Sequence, residues 1–378
     1  MAEENENLPQ QEELSGVEKI KLRLENLKAK KSKFYFFLPA IKDPNASTNE
    51  IYFQATTLKK AGYDVTLIVD SPDMLNPFYV DKELSDVKHF VINTGRLDIS
   101  PEDVVVIPEI YTNVMEQTLT VPAIRIVLCQ SIDYMYNALL PSTSWADFGI
   151  DSVLTTSDRA KEYIQTIAPN RYDIQTYRIG VPTYFKAWDK PKRPIVSFLT
   201  RNPNDINKVA KDFYAKFPYY NFITFDSMYT DTKPPRQTTR KEFADKLSKN
   251  FASIWIDRIS TYGTFPIESM ASGTIPISLL PDFDPAYIFD EEGKYLDGAG
   301  YWTTSIYQIS DILGKLVAAF LDDNISPKVY ETMDEIAKKH TIEASETSII
   351  AAYQHFIDKR ISALEGVVNK TETKTEQV

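Results

Sequence analysis

Short, wholly apolar runs, each followed by a stretch with helical spacing, recur in two successive series, and this constrains the fold more than any other feature. Every residue of Phe34–Pro39 (FYFFLP) is apolar, which suits a strand covered on both faces, as in a buried parallel sheet. A polar loop, Lys42–Thr48, follows, and Glu50–Ala61 then shows helical periodicity through Ile51, Ala55 and Leu58. That helix is expected to stop at Gly62, where glycine suits a left-handed C-terminal turn. Val65–Val69 (VTLIV) is the next strand. Further apolar runs stand at 89–92, 104–107, 124–128 and 153–155, the last running into a helix near 158–167. After the Pro- and Lys-rich linker Lys186–Pro194, the pattern starts again. Ile195–Leu199, Asn221–Phe225, Ala252–Asp257 and Thr274–Leu279 read as strands. Asn207–Phe217, Thr239–Asn250 and Ile306–Leu321 read as helices, and Pro266–Ala271 as the start of one.

Alternation of this kind requires parallel sheets with right-handed crossovers. Two series predict an α/β chain with two Rossmann-like, doubly wound domains facing each other across a cleft. Ligands of such sheets sit beyond the strand C-termini, where the strand order reverses. The expected division is an acidic lead and basic helix over 1–33, a first domain over 34–185 and a second over 186–340. A C-terminal helix over 341–365 should pack back on the first domain, and a disordered tail should occupy 366–378.

Composition narrows the chemistry. The formal net charge is -11, from 53 Asp+Glu against 42 Lys+Arg, which argues against a dedicated nucleic-acid binder. Cys129 is the only cysteine and His89, His340 and His355 are scattered, so no disulfide framework, Cys-based metal site or His-rich metal site is expected. The acidic residues 1–13 lack the basic and apolar regions of a signal peptide. No run reaches the ~18 apolar residues of a spanning helix, and a cytoplasmic setting is the expectation. Residues 14–33 carry Leu14, Val17, Ile20, Leu24 and Leu27 at helical spacing among seven Lys and Arg. That pattern fits a solvated helix leading into the first strand, and leaves open peripheral contact with an anionic membrane or with nucleic acid.

Ser260–Gly273 (STYGTFPIESMASG) is the most informative segment. A glycine turn leads into a helix carrying Glu268, and Ala271-Ser272-Gly273 ends it before a strand containing Pro276. Free N–H groups at such a helix start favour a diphosphate, and Glu268 one turn inside is placed to accept hydrogen bonds from ribose hydroxyls. A helix merely packed between two strands would also use Gly, Ala and Ser.

Gly263, Phe265, Glu268, Met270, Ala271, Gly273 and Pro276 fall in step with a known signature. The segment resembles that of family 4 of the GT-B glycosyltransferases, the group 1 transferases. Asp151–Ser157, Ile179–Pro182 with Phe185, and Ile195–Arg201 resemble other pieces of that family in the same order. The resemblance implies a GT-B fold and transfer of a sugar from a nucleotide-sugar to an acceptor hydroxyl, with retention, no metal and no resident cofactor. The donor would be UDP- or GDP-linked, and the acceptor a polysaccharide or glycolipid intermediate. Arg201 and Lys208 would neutralise the leaving diphosphate, Glu268 would bind the ribose, and Ser260, Gly263, Thr264 and Phe265 would meet the donor. The chain departs from the pattern in having Ser260 for the first motif Glu, Asn45-Ala46-Ser47-Thr48 for a Gly-Gly loop, and Gln130 where many relatives have His. Two alternatives stay open: a phage-type transferase acting on modified DNA bases, and a non-catalytic GT-B scaffold. Asp133 and Glu109 are candidate general bases without a motif. Tyr134, Tyr136, Tyr301 and Trp302 are candidate stacking rings, although most aromatic residues simply fill cores.

Overall fold

The structure is a computed structural model, and it describes residues 16–40, 46–72, 81, 83–84, 86–92, 94–228, 239–283 and 285–375. The expected acidic lead, Asn45 of the loop before Ala46, and the last three residues lie outside these.

The first half runs α1 (Gly16–Lys28), β1 (Lys33–Phe37), α2 (Ala46–Lys60), β2 (Asp64–Val69), β3 (Lys88–Val91), β4 (Val104–Pro108) and α3 (Thr112–Gln117). It continues through β5 (Ile124–Cys129), α4 (Ile132–Ala138), β6 (Ser152–Thr155), α5 (Asp158–Ile167) and β7 (Asp173–Thr176). Its strands form a parallel sheet in the order β3-β2-β1-β4-β5-β6-β7. The apolar run of β1 is explained by burial on both sides. Phe34 and Phe36 face one core, with Tyr353 against both rings at centroid distances of 5.5 and 5.9 Å, while Tyr35 and Phe37 face another beside Trp145.

The second half runs β8 (Arg193–Thr200), α6 (Pro203–Lys216), β9 (Thr224–Ser227), α7 (Arg240–Ser248), β10 (Asn250–Ile256), α8 (Thr264–Ala271) and β11 (Ile275–Leu279). It ends with β12 (Tyr301–Thr303), α9 (Ile306–Leu321), α10 (Pro327–Lys338) and α11 (Ile342–Thr375). These strands form a second parallel sheet, β12-β11-β10-β8-β9. The predicted α/β class, with two parallel-sheet domains, is the observed one.

Differences from the sequence reading lie mostly at the edges. β7 and β12 were not expected. Each has a single strand neighbour, and the short, partly exposed sequences DIQT and YWT carry no apolar run to mark them. Tyr301 and Trp302, candidate stacking rings, therefore belong to a strand. The Trp302 ring packs against Trp255 and Tyr287. The tail expected from residue 366 is helical through Thr375. Leu364 and Val368 extend the apolar side of α11, and Val368 is buried where α11 runs along α1. Leu27 of α1 is buried in turn, Lys28 pairs with Glu365 at 2.6 Å, and Leu22 stays exposed.

The chain passes between the sheets twice at one place. The N–H of Val181 donates to the carbonyl of His340 at 2.8 Å, and Val181 pairs with Thr341 as a parallel bridge. Gly180 has no room for a side chain there, since a Cβ would lie 2.8 Å from that of Ser345. α11 then packs on the first sheet and its helices, touching α1, α2, β5 and β7.

Candidate active site

Both sheets reverse their strand order once, and both reversals open on the same cleft. In the second sheet the reversal lies between β8 and β10, so the residues just beyond these strands, Arg201 and Asp257, stand side by side. Arg201 Nε donates to Asp257 Oδ2 at 2.7 Å, and its Nη1 donates to the hydroxyl of Tyr134 at 3.1 Å, on α4 of the first half. Burial works against the guanidinium charge, but the charge and hydrogen bond of Asp257 together with the Tyr134 hydroxyl hold the Arg201 pKa above its ordinary value. Those two bonds leave Nη2 for a further acceptor. Asn202 caps α6 by accepting from the Asn204 N–H at 3.0 Å, with Pro203 at the first helical position.

Lys208, two turns into α6, is more than half exposed. Its nearest carboxylate is Asp205 at 3.6 Å, which also receives Arg258 Nη1 at 2.9 Å. Arg201 lines the wide part of the cleft, and Lys208 is not among the residues lining it.

The helix start predicted from Ser260–Gly273 is α8. Gly263 is its N-cap with φ +70, and the site admits no side chain, because a Cβ would lie 2.8 Å from the Trp255 ring. Ser260 Oγ accepts from the Gly263 N–H at 3.1 Å, and the Tyr287 hydroxyl donates to the Gly263 carbonyl at 2.7 Å. The turn is thereby held from both sides. Ser260, Thr264 and Phe265 line the same wide part of the cleft as Arg201, which has a volume of about 530 Å³, ample for a nucleotide-sized ligand.

Glu268 is placed differently. It is buried, and its Oε1 accepts from Arg240 Nη2 at 2.7 Å. Burial raises the carboxyl pKa although the Arg240 charge works against it. Arg240, rather than Glu268, is the member of this pair that lines the narrow end of the cleft. Arg240 also sits over the Phe185 ring, 5.7 Å from its centroid.

The first sheet reverses between β1 and β4, and Glu109 directly follows β4. Its Oε1 accepts from the N–H groups of Gln130 and Ser131 at 3.1 and 2.8 Å. Burial pushes its pKa up to about 7 despite these bonds. The carboxyl thus holds the turn that carries Gln130 and Ser131 into the cleft. Ser131 Oγ donates to the Ile259 carbonyl at 2.9 Å and the Ile132 N–H to Thr261 Oγ1 at 2.8 Å, so the two walls are hydrogen-bonded to each other. Asp133 instead accepts from Asn137 within α4 and does not line the cleft, and the Tyr136 hydroxyl bonds that of Tyr163. Among the described residues no group of three or more His, Cys, Asp and Glu is placed to hold a metal ion. No described helix is long and apolar enough to cross a membrane.

Sequence reasoning missed Asp257, Arg258, Arg240 and Glu50 of α2, which lines the narrow end of the cleft. The Thr239–Glu242 spacing does mark a capping box, present in the structure. It predicts the helix that carries Arg240 but not the partner of that arginine.

No protein-family model and no curated protein sequence matches the chain. Solved structures do. Sucrose-phosphate synthase from Thermosynechococcus elongatus is 12% identical with a TM-score of 0.60, over 87% of this chain and 100% of that one. TarM is 10% identical with a TM-score of 0.59, over 86% and 98%. An alpha-glucosyltransferase in complex with UDP and a DNA containing an HMU base is 11% identical with a TM-score of 0.58, over 86% and 99%. These neighbours are GT-B glycosyltransferases, and at such low identity the likeness shows the fold. The GT-B architecture expected from the sequence is therefore the observed one.

Proposed function

We propose that the chain is a glycosyltransferase of the family 4 type, moving a sugar from a nucleotide-sugar donor to an acceptor hydroxyl. The observation that carries this reading is the meeting, in one cleft, of Arg201 at the strand-order reversal with Thr264 and Phe265, whose N–H groups open α8. A nucleoside diphosphate gains negative charge as the bond to the sugar breaks. A fixed guanidinium and a helix N-terminus stabilise that charge without moving. Arg201 takes a phosphate oxygen through Nη2, Lys208 adds charge from α6, and Ser260, Gly263, Thr264 and Phe265 meet the donor. Glu268 keeps the ribose role in this reading, with Arg240 holding its carboxylate in place. Retention, independence of a metal, a UDP or GDP donor and a polysaccharide or glycolipid acceptor follow the family resemblance.

The test is a thermal-shift series with UDP, GDP, TDP, ADP and their sugars on the wild type, Arg201→Ala and Glu268→Ala. One nucleotide should raise the melting temperature of the wild type and of neither variant. If none does so, the donor site is absent and the cleft belongs to a binding scaffold. A DNA arm carrying hydroxymethylated bases separates nucleic-acid acceptors from carbohydrates once the donor is known.

A further inference from the structure

Hydrogen bonds from the first turn of α4 cross the cleft to the loop after β10. Ser131 Oγ and the Ile132 N–H fasten that turn to the Ile259 carbonyl and to Thr261 Oγ1. Tyr134, two residues further on, is thereby set against a charged group of the opposite wall. Its hydroxyl accepts from Arg201 Nη1 at 3.1 Å, and the guanidinium carbon lies 5.9 Å from the centroid of its ring. The ring expected as a stacking platform thus stands beside the guanidinium.

Arg201 does not need the tyrosine as a counter-ion. Asp257 Oδ2 already accepts from its Nε at 2.7 Å, while Oδ1 accepts from the Ile259 N–H at 3.1 Å. Both oxygens of that carboxylate are therefore engaged. Tyr134 and Arg201 line the wide part of the cleft together, and what they offer there is donors. A phenol that accepts from a guanidinium keeps its own proton to give, and Arg201 keeps Nη2. Two neighbouring donors, one of them charged and each fixed on a different wall, suit a group that only accepts hydrogen bonds and carries negative charge. Phosphate is such a group.

We propose, on the glycosyltransferase reading above, that Tyr134 completes the diphosphate site from the first wall. It aims the Arg201 guanidinium and gives a hydrogen bond from its hydroxyl to the phosphate that Arg201 takes. The donor is then gripped by both halves of the molecule. Asp257 and Tyr134 hold the guanidinium at two of its nitrogens, so it meets the leaving group without rearranging. The hydroxyl adds a second bond to the same charge, which grows as the bond to the sugar breaks. Phenylalanine at this position would keep the ring beside the guanidinium and lose both bonds of the hydroxyl.

The experiment titrates the full chain with UDP, GDP, TDP, ADP, their nucleosides and inorganic pyrophosphate, by calorimetry for tight binding and ligand-observed NMR for weak. Wild type is compared with Tyr134→Phe and with Tyr136→Phe, whose lost hydroxyl bonds Tyr163 and does not line the wide part of the cleft. Tyr134→Phe should weaken the nucleoside diphosphate that the wild type binds about 10- to 100-fold, the worth of a hydrogen bond to a charged group. The matching nucleoside should bind as it does to the wild type, and Tyr136→Phe should bind both ligands normally. The ³¹P resonance of one phosphate of the bound nucleotide should move in Tyr134→Phe, a signature that a merely structural role would not give. Unchanged diphosphate affinity in Tyr134→Phe, equal weakening of the nucleoside, or an equal loss in Tyr136→Phe overturns the assignment while the donor site stands. Failure of every nucleotide and of pyrophosphate to bind the wild type overturns the transferase reading itself, and this role with it.

Discussion

The two walls of the cleft are built alike and carry opposite chemistry. Each is the C-terminal edge of a parallel sheet whose strand order reverses once, and each reversal delivers an ionisable residue directly beyond a strand, joined on the second wall by Asp257. On the first wall that residue is Glu109, buried, bonded to backbone N–H groups and raised toward neutrality. On the second it is Arg201, about half exposed, paired with Asp257 and held charged. Topology fixes where a chemical group can be offered. The local surroundings then decide whether that group is consumed by the fold or left for a ligand. Glu109 has a carboxylate oxygen engaged in shaping a turn, whereas Arg201 keeps donors in reserve.

The sharpest way to break the contrast is at the buried pair of the second wall. Arg240→Ala leaves Glu268 buried without its cation and should destabilise the protein by about 3–5 kcal/mol in denaturant unfolding. Joint replacement, Arg240→Met with Glu268→Leu, should recover most of that loss. A double variant as unstable as the single one would show that the arginine matters for packing rather than charge.

The first wall is tested by pH. Glu109 and Glu50 have folded pKa values of about 7, above the ordinary 4.5. Their contribution to stability is complete below pH 4.5 and is lost as pH rises through 7, roughly 3 kcal/mol per group at most. Buried His340 has the opposite sign. Its pKa is lowered to about 4, so its contribution is present above 6.5 and is lost as pH falls through 4. Glu109→Gln should flatten the decline between pH 5 and 8 and leave the acid limb unchanged. A decline of undiminished slope in that variant would remove Glu109 from the account.

Arg201→Ala should cost little in the absence of ligand. It should abolish the stabilisation that a bound nucleotide gives, about 2.7 kcal/mol at 100 times its dissociation constant. Lys208→Ala marks the smallest effect expected. With its side chain 55% exposed and its partner at 3.6 Å, it should change stability by less than about 1 kcal/mol. A larger loss would mean that the Asp205 network, with Arg258, carries more of the second wall than its exposure suggests.

These contrasts also show what could be read from the residues. The sheets were legible because central parallel strands must be apolar on both faces, as FYFFLP and VTLIV are. β7 and β12 were not, since an edge strand such as DIQT needs little apolar sequence. Gly263 and the start of α8 were legible because a left-handed turn before a helix is written locally. The partner of Glu268 was not, because Arg240 stands 28 residues earlier on another helix, and sequence spacing carries no information on such a contact. Glu50 escaped for a related reason. Its environment comes from Gln54 nearby and from Tyr353, 299 residues beyond Gln54.

The double passage of the chain beside Val181 and Thr341 makes everything from Arg193 to Lys338 an insert spliced into the first sheet's unit on two adjacent leads. Partners in a parallel bridge lie roughly 5 Å apart, a gap that a few residues of loop would close. Excising the insert and rejoining the leads would keep β1–β7, α1 and α11 in one continuous chain, with Glu109 and the Gln130 turn still in place. The first wall is in this sense a detachable module, and the cleft is a joint between a host and its guest.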